Sequence, residues 1–144
     1  MKIGIISDTH GLLRAQVFDV FQGVEHILHA GDVGDPDILT ELAAIAPVTA
    51  VWGNVDGMDL RARIPEIARL ELGGVRIVIL HGMQLGSPTP QKAAAAHPDA
   101  GLVGEQADQS DVQVVHDQAS RCASCTVQRR TVAQSGQQTP CSAL

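Results

Sequence analysis

Tyrosine is missing from this sequence, and Phe18, Phe21 and Trp52 are its only aromatic residues. Ring packing cannot build a core here, so its volume must come from Val, Ile, Leu and Ala; hydrophobic residues make up 44% of the 144 positions, ample for one globular domain and too short a chain for two. Basic residues are also few. Ten Lys and Arg stand against sixteen Asp and Glu, a formal net charge of −6. No Lys/Arg stripe is present to displace counterions from a nucleic-acid backbone, which excludes nucleic acid as an expected partner. A small phosphate ester remains acceptable as substrate, because bound metal ions would dominate the field at the site. No apolar run approaches the roughly 18 residues of a membrane span. No cationic segment leads into an apolar stretch and cleavage site. The expectation is a cytoplasmic protein with no membrane partner and room for self-association. Cysteine occurs only late, at Cys122, Cys125 and Cys141. The odd number argues against a disulfide framework, and one Cys-x-x-Cys without a second pair is a weak zinc signal. No glycine-rich phosphate loop follows the first apolar run, which disfavours a generic nucleotide-binding domain.

What is present is a repeated ending. Lys2-Ile3-Gly4-Ile5-Ile6 runs into Ser7-Asp8-Thr9-His10-Gly11, and Ile27-Leu28-His29-Ala30 into Gly31-Asp32. Val48-Thr49-Ala50-Val51-Trp52 runs into Gly53-Asn54, and Val75 to Leu80 into His81-Gly82. Each short apolar run thus ends in an oxygen or nitrogen ligand beside a glycine. Taken singly, Asp-x-His, Gly-Asp and Gly-Asn are common turn pairs. Four coincidences at strand exits outweigh that reading, because ligands collect at the carboxyl ends of strands in an α/β sheet. Asp8, His10, Asp32, Asn54 and His81 would share one edge. Mixed O/N donors suit Mn²⁺, Zn²⁺, Fe or Ni²⁺ better than Ca²⁺. Two such ions about 3.5–4 Å apart can hold a phosphate oxygen and lower the pKa of a water toward about 7. His26, His29 and His97 lack this context and read as structural; for His29, a few residues before Gly31-Asp32, the alternative is a support behind the ligands.

The intervening text sets the fold class. Leu12 to Phe21 predicts a helix with a broad apolar face. Asp35-Pro36 predicts a helix start, with Pro in the first turn, and Pro47 the limit. The order strand–helix–strand–helix–strand implies parallel crossovers. Glu66 to Leu72 then alternates polar and apolar residues, Gly73-Gly74 signals a hairpin, and Val75 to Leu80 returns as a buried strand. Pro90 to Ala96 predicts a short helix. Val112 to Val115 and, more weakly, Cys125 to Val132 read as strands, and Gln134 to Leu144 as a loop or disordered tail.

The boxes Asp8-Thr9-His10-Gly11, Gly31-Asp32, Gly53-Asn54-Val55-Asp56 and His81-Gly82, in this order and spacing, resemble the calcineurin-like metallophosphoesterases, in particular the small bacterial and archaeal phosphodiesterases with Gly-Asn-x-Asp. The resemblance implies a four-layer αββα sandwich of two mixed β-sheets flanked by helices. It implies two divalent metal ions, Mn²⁺ first: Asp8 and His10 on one, Asp32 bridging, Asn54 and His81 on the other. Asn54 and Asp56 take the catalytic places, Asp56 as an acid behind Asn54. The activity implied is hydrolysis of phosphodiesters or phosphomonoesters by metal-activated hydroxide. Larger members carry a His after the Asn that protonates the leaving group; this chain has Val55, so good leaving groups should react best. The alternative is a non-catalytic protein-binding scaffold on the same fold, as the retromer scaffold subunit resembles these enzymes and works through protein contacts.

The resemblance stops near residue 100. Gln occurs four times in the first 100 residues and eight times in the last 44. The family closes its site with Gly-His-x-His after an Asp-led strand. Asp111-Val112-Gln113-Val114-Val115 resembles that strand, but His116-Asp117-Gln118 follows. The expectation is a metallophosphoesterase domain over 1–116 and an atypical, weakly structured tail over 117–144, with incomplete C-terminal strands and weakened activity. A change of reading frame near residues 98–105 would leave such a break, and natural divergence is the other reading.

Overall fold

Short β-branched runs separated by glycine-bearing turns form the strands of the computed structural model, which describes residues 1–86 and 89–98 and, beyond them, the backbone of three further strands. In chain order the strands are β1 (Ile3–Ser7), β2 (His26–His29), β3 (Val48–Ala50), β4 (Ile67–Leu72), β5 (Val75–Leu80), β6 (Gly101–Gly104), β7 (Val112–His116) and β8 (Thr126–Gln128). The helices are α1 (Ala15–Val20), α2 (Pro36–Ala43), α3 (Met58–Arg63) and α4 (Pro90–Ala96), with a 3₁₀ turn at Met83–Leu85.

The first sheet has the order β3–β2–β1–β7, and every neighbouring pair is parallel. Among the described residues this sheet is all-parallel, which corrects the expectation that both sheets are mixed. Crossovers through α1 and α2 return the chain to the same starting edge each time, so β1, β2 and β3 run one way. The second sheet is mixed, in the order β4–β5–β6–β8, with an antiparallel β4–β5 hairpin, parallel β5–β6 and antiparallel β6–β8.

Side chains alternate across the first sheet, and two apolar layers result. Ile6 and Ile27 point to one face, where Val17, Phe21, Ile38, Leu42 and Leu60 from the helical segments cover them. Ile5, Leu28, Ala30 and Val51 point to the other, against Ala68, Ile77 and Ile79 of the second sheet. The two sheets therefore pack face to face through β1, β2, β4 and β5. Gly4 has a specific reason to be glycine: a Cβ there would lie 2.9 Å from the ring of Phe21, which is fully buried.

The α2 start is as the sequence indicates. Asp35 caps the helix by accepting a hydrogen bond from the Asp37 N–H at 2.9 Å, and Pro36 sits in the first turn. Helix α1 is shorter than predicted. The Leu12 N–H still bonds the Thr9 carbonyl at 2.9 Å, so the chain is turning out of the β1 loop when the apolar pattern begins. Helix α3 and strand β6 had no sequence signal. Leu60 is the one buried residue of α3, too few to show a period.

Strand β7 lies where the sequence suggested one, and β8 occupies three residues of the weaker 125–132 run. The side chain of His116 and the tail from Gln134 lie outside the described residues. Among the described residues, no helix is long and apolar enough to cross a membrane.

Candidate metal centre

The exits of β1, β2 and β3 reach one edge of the parallel sheet, and β5 delivers His81 to it from the second sheet. The chain turns sharply after β1 and β2. Asp8, His10 and Asp32 have φ of 58°, 47° and 55°, and among the described residues they alone take positive φ without being glycine. Left-handed backbone at a side-chain-bearing residue costs on the order of 1–3 kcal/mol and collects at functional sites. Each of these three residues is also a sequence-identified ligand. Backbone bonds lace the two loops together: Asp8 N–H to Gly31 O at 3.0 Å, His10 N–H to Asp32 O at 3.0 Å, and Gly11 N–H to Val33 O at 2.8 Å.

Lone pairs converge at this edge. The His81 Nδ1–H donates to the Ala30 carbonyl at 2.9 Å. That bond fixes the proton on Nδ1 and turns the lone pair of Nε2 into the site. Asn54 Oδ1 lies 3.1 Å from that Nε2 and Asp32 Oδ2 3.5 Å from it. On the other side, His10 Nε2 lies 4.0 Å from Asp32 Oδ2 and 3.9 Å from Asp8 Oδ1. Asp32 Oδ2 thus stands between the two imidazoles. Asp8, Asp32 and His81 each offer a ligand atom within 4.8 Å of the others. Atoms bound at about 2.1 Å to one cation lie roughly 3–4.2 Å apart, so these separations suit a metal ion. Two buried carboxylates, of Asp8 and Asp32, thus meet the Nε2 lone pair of His81. A cation satisfies them together, and the donor set therefore fits the divalent metal that the sequence implies. Asp8 and Asp32 are buried, whereas the His10 side chain is 38% exposed and marks the open side.

Two glycines are required by this crowding. A Cβ on Gly53 would overlap the Asp32 carboxylate, and one on Gly31 would lie 2.7 Å from His81 Nδ1.

Asp56 does not face the converging lone pairs. Its Oδ1 accepts from Gly34 N–H at 2.7 Å and its Oδ2 from Gly53 N–H at 2.8 Å. The carboxylate joins the loop after β2 to the loop after β3. Arg61 closes the same turn, donating to the carbonyls of Asp56 at 2.8 Å and Asn54 at 3.2 Å while its guanidinium stacks 4.4 Å over Trp52. The remaining oxygen of Asp32, Oδ1, accepts from Val55 N–H at 3.1 Å.

His29, read from sequence as structural, is fully buried directly behind these loops. It meets Thr9 Oγ at 3.0 Å and Gly31 N–H at 3.3 Å. Burial pushes its pKa down to about 4; the Asp56 charge opposes that shift and His81 adds to it. Its only sequence signal was its place three residues before Asp32.

The sequence and the fold both match known proteins. The family model of the calcineurin-like phosphoesterase superfamily domain matches residues 1–116. A probable metallophosphoesterase of Methanothermobacter thermautotrophicus is 47% identical over 87 residues, covering 57% of this chain and 50% of that protein. The chain spans about half the length of the curated relatives it matches. A solved archaeal phosphodiesterase has a TM-score of 0.57 at 26% identity, covering 81% of this chain and 82% of that one. Vps29 of Entamoeba histolytica, solved with zinc, has a TM-score of 0.59 at 23% identity, covering 71% and 61%, and shows the shared fold. With the ligand boxes inside the matched span, the chain belongs to the calcineurin-like phosphoesterase superfamily.

Proposed function

We propose that this chain is a metal-dependent phosphodiesterase of the small, Gly-Asn-x-Asp type. One observation carries the reading: Asp8, Asp32 and His81 bring ligand atoms within 4.8 Å of one another, with His10 and Asn54 flanking them, and Asp8, His10 and Asp32 stand on left-handed backbone. Asp8, His10 and Asp32 would hold one divalent ion, and Asp32, Asn54 and His81 a second. Mn²⁺ is the first choice, with Zn²⁺, Fe and Ni²⁺ after it. The ions would supply positive charge for a phosphate group and ionise a water near neutral pH. The chain's own residues orient and exclude. Asp32 sits centrally, with Oδ1 held by Val55 N–H. The Ala30 carbonyl fixes the His81 tautomer. Asp56 sets the distance between the two loops rather than meeting substrate. Val55 has no proton to give, so the leaving group departs unassisted and activated esters react fastest.

The same reading takes residues 1–116 as the catalytic domain in a four-layer arrangement, with α4 outside the second sheet. Strand β7 is paired with β1 so that His116 stands opposite Ser7, one residue before Asp8. In the absence of the Gly-His-x-His box, the second ion is held loosely and turnover is slow. The test is hydrolysis of a chromogenic phosphodiester with Mn²⁺ added well above the protein concentration. Turnover should rise with Mn²⁺ and vanish with a chelator and in Asp32→Asn. Absence of turnover at saturating Mn²⁺ and Zn²⁺ would transfer the chain to the scaffold reading.

A further inference from the structure

The hydrogen-bond directions around His29 leave a single solution. Thr9 Oγ–H donates to the Val33 carbonyl at 3.0 Å, because a carbonyl can only accept. The hydroxyl therefore presents a lone pair to His29 Nε2 at 3.0 Å, and Nε2 must carry the proton. Nδ1 is then the acceptor, and it takes Gly31 N–H at 3.3 Å. One neutral imidazole in one tautomer satisfies every atom. An imidazolium would set a second N–H against Gly31 N–H.

The two ends of this chain are not arbitrary. Thr9 lies between Asp8 and His10, and Gly31 immediately precedes Asp32. The three ligands are the residues held in left-handed conformations. The β1 and β2 loops hold each other through backbone bonds and the Thr9 hydroxyl on the Val33 carbonyl, and His29 reaches both from beneath with a side chain that is 0% exposed. We propose that His29 is a positioning residue, a neutral imidazole strut that joins Thr9 to Gly31 and so fixes the two strained turns at the spacing the metal requires. The proposal rests on the metal-site reading for what the turns hold, and on hydrogen bonding alone for the strut. Burial, which holds the ring neutral near neutral pH, keeps the strut in its working state.

The test uses the full chain as wild type, His29→Leu, Thr9→Val and the double variant, with Thr9→Ser as the conservative control. Mn²⁺ affinity is measured by calorimetry well below each melting temperature, so that only folded protein is titrated. Removal of groups that orient metal ligands typically costs 10–100-fold in affinity, and His29→Leu should lose about tenfold. Thr9→Val should lose a similar factor, the double variant little more than either, and Thr9→Ser should bind like wild type. A buried His that merely fills space would lower the melting temperature of His29→Leu and leave the affinity of the folded protein unchanged, which would overturn the proposal. A second readout does not need the metal. In wild type, the His29 side-chain Nε2–H should appear by ¹⁵N NMR as a neutral tautomer, and the Asp8, His10 and Gly31 amides should exchange slowly. In His29→Leu those three amides should lose protection selectively. Failure of wild type to bind Mn²⁺ with this pattern intact would sink the metal reading and leave the strut standing. Unchanged protection of those amides would sink the strut.

Discussion

Among the turns that use left-handed backbone, two contrast in their chemistry. At the β4–β5 hairpin, Gly73 and Gly74 take φ of 57° and 75°, and no atom lies within 4 Å of where a Gly74 Cβ would be. Glycine adopts that region without a steric penalty, so the turn is a plain reversal. At the exits of β1 and β2, Gly11, Gly31 and Gly34 are left-handed too, but so are Asp8, His10 and Asp32. Three side chains with a penalty stand where glycine would be easier. The conformations are held by backbone bonds between the loops and by Asp56 and His29 beneath them. The hairpin is a plain reversal, whereas the edge that gathers Asp8, Asp32 and His81 keeps side chains on strained backbone.

The strongest way to break the comparison is to crowd the metal edge. Gly53→Ala places a methyl group on the Asp32 carboxylate, and overpacking of this kind costs roughly 3 kcal/mol. Chemical denaturation should show that loss, and metal titration should show binding abolished. Next is the brace. In Asp56→Asn one carboxylate oxygen becomes an NH₂ facing a backbone N–H, in a residue only 3% exposed. A buried donor left unpaired costs about 1–3 kcal/mol, and the melting temperature should fall accordingly, with metal affinity falling alongside it.

The His29 state gives a pH signature. Its folded pKa is about 4, below the ordinary 6.5. Between those values the unfolded chain takes a proton that the folded chain refuses, so stability is full above about pH 6.5 and falls as pH drops toward 4. For such a gap, the loss from pH 7 to pH 5 is on the order of 2 kcal/mol. Urea denaturation of the metal-free protein should show it, and His29→Leu should flatten that part of the slope. An equal slope in the variant would mean that other groups carry it. The smallest effect belongs to the hairpin. Gly74→Ala meets no neighbour and pays only for its φ, about 1 kcal/mol, with metal affinity untouched.

Much of this contrast was legible in the sequence. Asp8, His10, Asp32, Asn54 and His81 announced themselves because each ends an apolar run beside a glycine, a pattern that topology converts into proximity. Gly73-Gly74 announced the hairpin in the same way, and Asp35-Pro36 the start of α2. His29 was only faintly legible, as a His a few residues before Asp32, because the hydrogen bonds it makes across the fold leave no local spacing. Helix α3 was hidden by its single buried residue, and β6 by the glycines at both its ends, which read as loop. The parallel run of β1, β2 and β3 was legible in the strand–helix alternation, whereas the parallel pairing of β7 with β1 was not. Strand pairing between distant segments, such as β7 with β1, is set by tertiary packing and leaves little local trace.

The central claim is that Asp8, His10, Asp32, Asn54 and His81 form one metal centre around Asp32. Calorimetric titration of Mn²⁺ into the metal-free protein and into Asp32→Asn tests it directly. Wild type should bind at least one ion, and Asp32→Asn should lose that binding by about 100-fold or more, as expected when a ligand rather than its support is removed, while its melting temperature without metal stays near that of wild type. Equal Mn²⁺ affinity in the two proteins would contradict the account.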